Sequence, residues 1–132
     1  MIVDSSALVA IALDEATADL LREAIVRAGS CVVSAATLVE ASIVIDSRGN
    51  PVAVRLFDEL TRSRALTVVP FTPEHAQIAR QAYRDFGRGS GHPANLNYGD
   101  CFSYALAAER REPLLYVGDD FSHTDIRSAL AN

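Results

Sequence analysis

The chain has 132 residues, a formal net charge of -5, 49% hydrophobic and 22% charged residues, an ordinary globular composition that excludes disordered, collagen-like and coiled-coil classes and fits one domain spanning 1–132. No apolar run approaches the roughly 20 residues that span a bilayer, and the start lacks the basic flank and cleavage site of a secretory signal, so no membrane association and a cytoplasmic location are expected. The acidic balance argues against nucleic-acid binding by bulk positive potential, yet a fold that gathers several acids around metal ions is acidic overall even when its substrate is a phosphodiester.

In chain order, "MIVDSS" reads as a short buried strand, Ile2 to Asp4, with Ser5 and Ser6 placed to bond backbone groups where a helix starts. The pattern is helical from Ala7, Asp14 is expected to cap a second helix, and Ala18, Leu21, Ile25 and Ala28 share one face before Gly29. "CVVSAAT" is the second strand. "AATLVEASIVIDSRG" gives about four helical turns, and Pro51 opens another helix at a position where proline is tolerated. "LTVVPF" is a buried strand closed by Pro70, and "TPEHAQIARQAYRDFG" a helix with a Thr-Pro start and a glutamate behind it.

"GRGSGHPANLN" concentrates Gly, Ser, Pro and Asn and is the one obvious loop. "YGDCFSYALAAERRE" returns to helical periodicity, "PLLYVGDD" is a strand, and "FSHTDIRSALAN" closes the chain as a last strand or turn. Continuous apolar strands alternating with helices imply an α/β fold built on a parallel sheet with helices on both faces. Ligands of such sheets collect beyond the carboxyl ends of the strands, where Asp4 falls.

Cys31 and Cys101 lie in apolar segments without C-x-x-C spacing and read as buried small hydrophobes, and His75, His92 and His123 show no zinc-ligand spacing. The acids are the unusual feature. Asp4 interrupts an apolar run, Glu40 sits inside "ATLVEASIVI", Asp100 opens a helix rich in apolar residues, and Asp119 and Asp120 end a strand. The stripe Ala36, Val39, Ile43 and Val44 is expected to be the buried face beside Glu40. Singly, each acid has a plain structural explanation: Asp4 or Asp100 as a helix cap, Asp119 or Asp120 as a turn residue, Glu40 as half exposed.

Together, in a parallel sheet, they converge at one edge. Crowded carboxylates raise one another's pKa values unless a cation holds them. Oxygen-only ligands select Mg²⁺ or Mn²⁺ and leave coordination positions for phosphate oxygens, the requirement for phosphodiester hydrolysis.

"MIVDSSALVAI", the lone Glu40 after "VVSAAT", "LNYGDCFSYALA" and "PLLYVGDDFSHTDI" resemble the PIN-domain ribonucleases, specifically the VapC-type toxins of toxin–antitoxin systems. The resemblance spans essentially the whole chain. It implies a three-layer α/β/α sandwich with a parallel sheet of about five strands and an endoribonuclease dependent on Mg²⁺ or Mn²⁺. It further implies an RNA substrate, a VapB-type antitoxin and a homodimer. It places Asp4, Glu40 and Asp100 as metal-binding catalytic acids and Asp119 as the fourth, with Asp120 and Asp125 as neighbouring alternatives. Ser5 or Ser6 would support the first aspartate, serine standing at position 5 where threonine is common in the family.

All twelve basic residues are arginines. Arg110 and Arg111 complement a helix C-terminus, whereas Arg88, in the loop before Asp100, is a candidate RNA phosphate contact. A phosphoacceptor receiver needs a lysine this chain lacks, and a haloacid-type phosphotransferase needs an aspartate where Ser6 stands. The remaining alternative is a catalytically silent PIN-like module that binds RNA or protein.

Overall fold

The computed structural model describes residues 1–130; Ala131 and Asn132, the end of the expected domain and of its closing segment, lie outside the described residues. The elements run β1 (Ile2–Val3), α1 (Ser5–Ala12), α2 (Ala18–Ala28), β2 (Cys31–Ser34), α3 (Ala35–Ser47), α4 (Pro51–Arg62), β3 (Leu66–Val69), α5 (Pro73–Phe86), α6 (Asp100–Arg110) and β4 (Leu114–Leu115), followed by a 3-10 turn over Asp120–His123.

The strands form one parallel sheet in the order β3-β2-β1-β4. The expected α/β class holds, with four strands in place of about five. The closing segment reaches the β4 edge but forms a single parallel bridge there, Leu114 to Ser128. Its bonds are Leu114 N–H to the Arg127 carbonyl at 2.9 Å and Ala129 N–H to the Leu114 carbonyl at 2.8 Å.

Alternate residues of a strand face opposite layers. Val3 accordingly joins a core with Leu8, Leu21, Ile45 and Phe57 from α1 to α4, whereas Ile2 joins a second core with Ala79, Leu106 and Phe121, from α5, α6 and the 3-10 turn. The helix starts follow local chemistry. Asp4, Ser34 and Asn50 accept backbone N–H groups of α1, α3 and α4 respectively, and Pro51 and Pro73 open their helices.

Three local expectations are corrected. Asp14 does not cap α2: it occupies a left-handed turn (φ 52°) and pairs with Arg22 at 3.2 Å. The box at the start of α5 is closed by His75, not by Glu74, because the third helical position is the one that reaches back to Thr72. Val39 and Ile43 are not core residues: they are 59% and 63% exposed, and the buried face of α3 is Thr37, Ala41 and Ile45.

The chain steps from β1 to β2 to β3 on one side and then returns to place β4 on the other side of β1. The strand order therefore reverses at β1, and the crevice between the carboxyl ends of β1 and β4 is the switch point where α/β sheets hold ligands. Asp4 is the first residue beyond β1.

Candidate active site

Asp4 is 2% exposed, so its carboxylate must be satisfied from within the protein. Its Oδ2 accepts from the Ser6 backbone N–H (3.1 Å) and the Ser6 hydroxyl (2.7 Å), and its Oδ1 accepts from the Ser103 hydroxyl at 2.6 Å. The Ser6 hydroxyl also accepts the Val117 N–H at 3.0 Å, joining α1 to the chain just after β4. Behind Ser103, the buried Thr37 hydroxyl lies 3.3 Å from the Ser103 hydroxyl, so α3, α6 and β1 are connected by polar contacts ending on Asp4.

Asp100 is buried at the first position of α6. It exchanges two bonds with Asn97: the Asn97 N–H donates to Asp100 Oδ2 (3.0 Å) and the Asp100 N–H donates to Asn97 Oδ1 (2.8 Å). Burial, countered in part by the Asn97 N–H and reinforced by Asp4 and Asp120, lifts the Asp100 carboxyl to about 7. Burial also raises the pKa of Glu40, with the Ser5 hydroxyl opposing and the Asp4 charge adding.

The structure places Asp4, Glu40 and Asp100 near one another; of the two serines expected to support Asp4 it is Ser6 that bonds it, while Ser5 lies beside Glu40. The acid that reaches Asp100 from the last turn is Asp120 rather than Asp119. Gly118 takes a φ of 99°, a conformation only glycine adopts cheaply, and the chain then folds into the 3-10 turn with the buried Phe121 as its anchor. Exposed Asp119 caps that turn through its carbonyl, which accepts from the Ser122 N–H and hydroxyl. Asp125 is engaged elsewhere, accepting the Tyr104 hydroxyl at 2.7 Å. Arg88 is exposed, its N–H bonded to the Leu96 carbonyl at 2.9 Å.

Gly99 was not singled out by the sequence. Its backbone is helical (φ -68°, ψ -35°), so no conformational need selects glycine. Space does: a Cβ built there lands on the Glu40 carboxylate. Ser103, Thr37 and Asn97 were missed as well. Ser103 and Thr37 stand three residues from a candidate acid within an apolar helix, Ser103 after Asp100 and Thr37 before Glu40, and that spacing puts each hydroxyl on the acid's face.

Among the described residues, no arginine, histidine or terminal amine pairs with Asp4, Glu40, Asp100 or Asp120. Nor do three such ligand side chains already close on a common point. The donors are all oxygen and the acids approach pairwise, an arrangement suited to a hydrated Mg²⁺ or Mn²⁺ that takes one or two carboxylates and keeps several waters. The unneutralised like charge is what such an ion would relieve.

A four-stranded parallel sheet with an acid closing its first strand and further carboxylates gathered at the switch point places the molecule among acid-site α/β proteins. The PIN domain profile matches residues 1–127, and the chain belongs to that family. It is 52% identical over 130 residues to "Ribonuclease VapC28" of Mycobacterium tuberculosis, covering 98% of both chains. It is 50% identical over 129 residues to "Ribonuclease VapC42" of the same species, again with 98% of each chain covered. The fold is similar to the crystal structure of Mycobacterium tuberculosis VapC20, described as a sarcin–ricin loop cleaving toxin, with a TM-score of 0.72, 17% identity and 95% of each chain covered. No helix among the described residues is long and apolar enough to cross a membrane.

Proposed function

We propose that the protein is a VapC-type ribonuclease toxin that hydrolyses RNA phosphodiester bonds with a Mg²⁺ or Mn²⁺ ion held by Asp4 and Asp100, with Glu40 and Asp120 completing the acid set. The observation that carries this reading is the buried Asp4–Asp100 pair, whose like charges have no protein cation to offset them. When bound, the ion supplies Lewis-acid chemistry at a phosphodiester.

The chain's own residues do the rest. Ser6 and Ser103 fix the two oxygens of Asp4, and Asn97 fixes Asp100, so that both carboxylates present a set direction to a ligand. Glu40, half buried and with raised proton affinity, has its carboxylate in space that the missing Cβ of Gly99 leaves open and is placed to take up a proton.

The same reading gives the chain a homodimeric state and a VapB-type antitoxin. Val39 and Ile43, one turn apart on α3 on either side of Glu40, offer exposed apolar surface at the site's edge for such a protein contact. The test is cleavage of a labelled structured RNA by wild type and by Asp4→Asn, each with Mn²⁺ and with chelator. Cleavage is expected only for wild type with Mn²⁺. Equal cleavage by Asp4→Asn would overturn the assignment, and a folded protein that binds RNA without cutting it would identify a silent binding module.

A further inference from the structure

A second feature shares helix α6 with Asp100. Between α5 and α6 runs an open groove of about 500 Å³, within the range of ligand pockets. Its walls carry Phe71, Tyr83, Tyr98 and Phe102, with Arg80 and Arg84 along one side. No carboxylate lines it, although the chain as a whole carries a net charge of -5. Among the described residues neither arginine has an acidic partner.

Tyr98 is the most unusual of these residues. It is 77% exposed, a costly position for an aromatic ring unless something covers it, yet it is not free to wander. Its ring meets Phe102 edge to face at 4.7 Å, and Phe102 in turn meets Phe71 at 5.1 Å. The ring is thus braced from one side and open to solvent elsewhere. Tyr98 lies two residues before Asp100 and Phe102 two residues after it, so the groove and the acid cluster share the start of α6.

We propose that this groove is a nucleotide subsite in which an unpaired RNA base next to the scissile phosphodiester stacks on Tyr98 while Arg80 and Arg84 contact the adjoining phosphates. The proposal rests on the ribonuclease reading and names what that site takes: a single-stranded or looped segment, since a base inside a duplex has no free face to offer. Braced aromatics beside unpaired arginines are the combination by which single strands are held, each base having a π-face and each backbone step a charge. A protein segment would favour the apolar walls equally but gives no account of two acid-free arginines in an acidic chain.

The chain contains no tryptophan, so Tyr98→Trp introduces a single indole reporter. Short fluorescein-labelled RNAs, one single-stranded and one fully paired, are titrated in chelator into wild type, Tyr98→Ala, Tyr98→Phe, Tyr98→Trp and Arg84→Ala, with anisotropy as readout and light scattering as a check of oligomeric state. Tyr98→Ala is expected to weaken single-strand binding by about tenfold while Tyr98→Phe stays within about twofold, since stacking needs the ring and not the hydroxyl. The indole fluorescence of Tyr98→Trp is expected to be quenched by single-stranded RNA alone.

Undiminished single-strand binding by Tyr98→Ala would overturn the subsite, as would equal loss for the duplex. A change in oligomeric state on Tyr98→Ala without a change in RNA affinity would overturn it in favour of a protein interface. Failure of the wild type itself to bind or cut any RNA would instead remove the ribonuclease reading on which the subsite rests.

Discussion

Gly99→Ala separates stability from function at this site. The backbone at Gly99 is already helical, so alanine gains about 0.5–1 kcal/mol by restricting the unfolded chain and costs nothing in strain. Against that, the new Cβ occupies the place of the Glu40 carboxylate, whose Oε1 would sit only 2.7 Å away with the other carboxylate atoms closer still. The far end of a half-buried glutamate gives way more easily than a helix, so the Glu40 carboxylate moves by about 1.5 Å or more, at a cost of the same order as the alanine gain.

The expected outcome is a melting temperature within about 4 °C of wild type with Mn²⁺-dependent RNA cleavage lowered by about 100-fold, the scale of an ångström's misplacement in a catalytic array. Circular dichroism melts and cleavage rates on a labelled RNA measure the two quantities. In a Glu40→Ala background the same Gly99→Ala change is expected to cost nothing further, because the group it displaces is absent. Wild-type cleavage by Gly99→Ala, or an equal loss in both backgrounds, would show that cleavage does not depend on where Gly99 lets the Glu40 carboxylate sit.

Ser103→Ala removes a buried donor from Asp4 and is expected to cost about 1–3 kcal/mol in chemical denaturation, together with a 10- to 100-fold loss of cleavage; wild-type stability would show that the hydroxyl is dispensable. In chelator, Asp100 retains in the folded state, up to about pH 7, a proton that the unfolded chain has released from about pH 4 upward. Metal-free stability should therefore fall as pH rises across that window, by a few kcal/mol at most, and Asp100→Asn should remove the decline while abolishing cleavage; a parallel decline in the variant would assign it to other groups. Asp120→Asn is expected to lower the pH at which Asp100 titrates by NMR, whereas Asp119→Asn leaves it unchanged; the reverse would restore Asp119 as the fourth acid.

The sheet and the position of Asp4 at its carboxyl edge were legible because their signals are local. β-branched runs ending in Asp4 and helices opened by Pro51 and Pro73 declare themselves within a few residues. The buried face of α3 was not legible, since a helix apolar on nearly every side offers no contrast and the true face contains a threonine and an alanine. The closing segment, expected as a last strand or turn, makes one bridge and then turns, because the edge it meets, β4, is only two residues long. Which of Asp119 and Asp120 lies nearer Asp100 depends on the turn at Gly118, whose φ of 99° no neighbouring residue announces. Gly99 became visible only when α6 was placed beside α3, and the bond from Ser103 to Asp4 only when α6 was placed beside β1.

On the proposed function, repulsion between buried carboxylates makes this crevice a divalent-cation site. Calorimetric titration of Mn²⁺ into wild type and Asp100→Asn near pH 7, in buffers of different ionisation heat, tests it most directly. Saturable binding to wild type is expected, with a fraction of a proton released per ion from Asp100, and binding to Asp100→Asn that is at least tenfold weaker and proton-neutral. Equal affinity and equal proton release in the two proteins would contradict it.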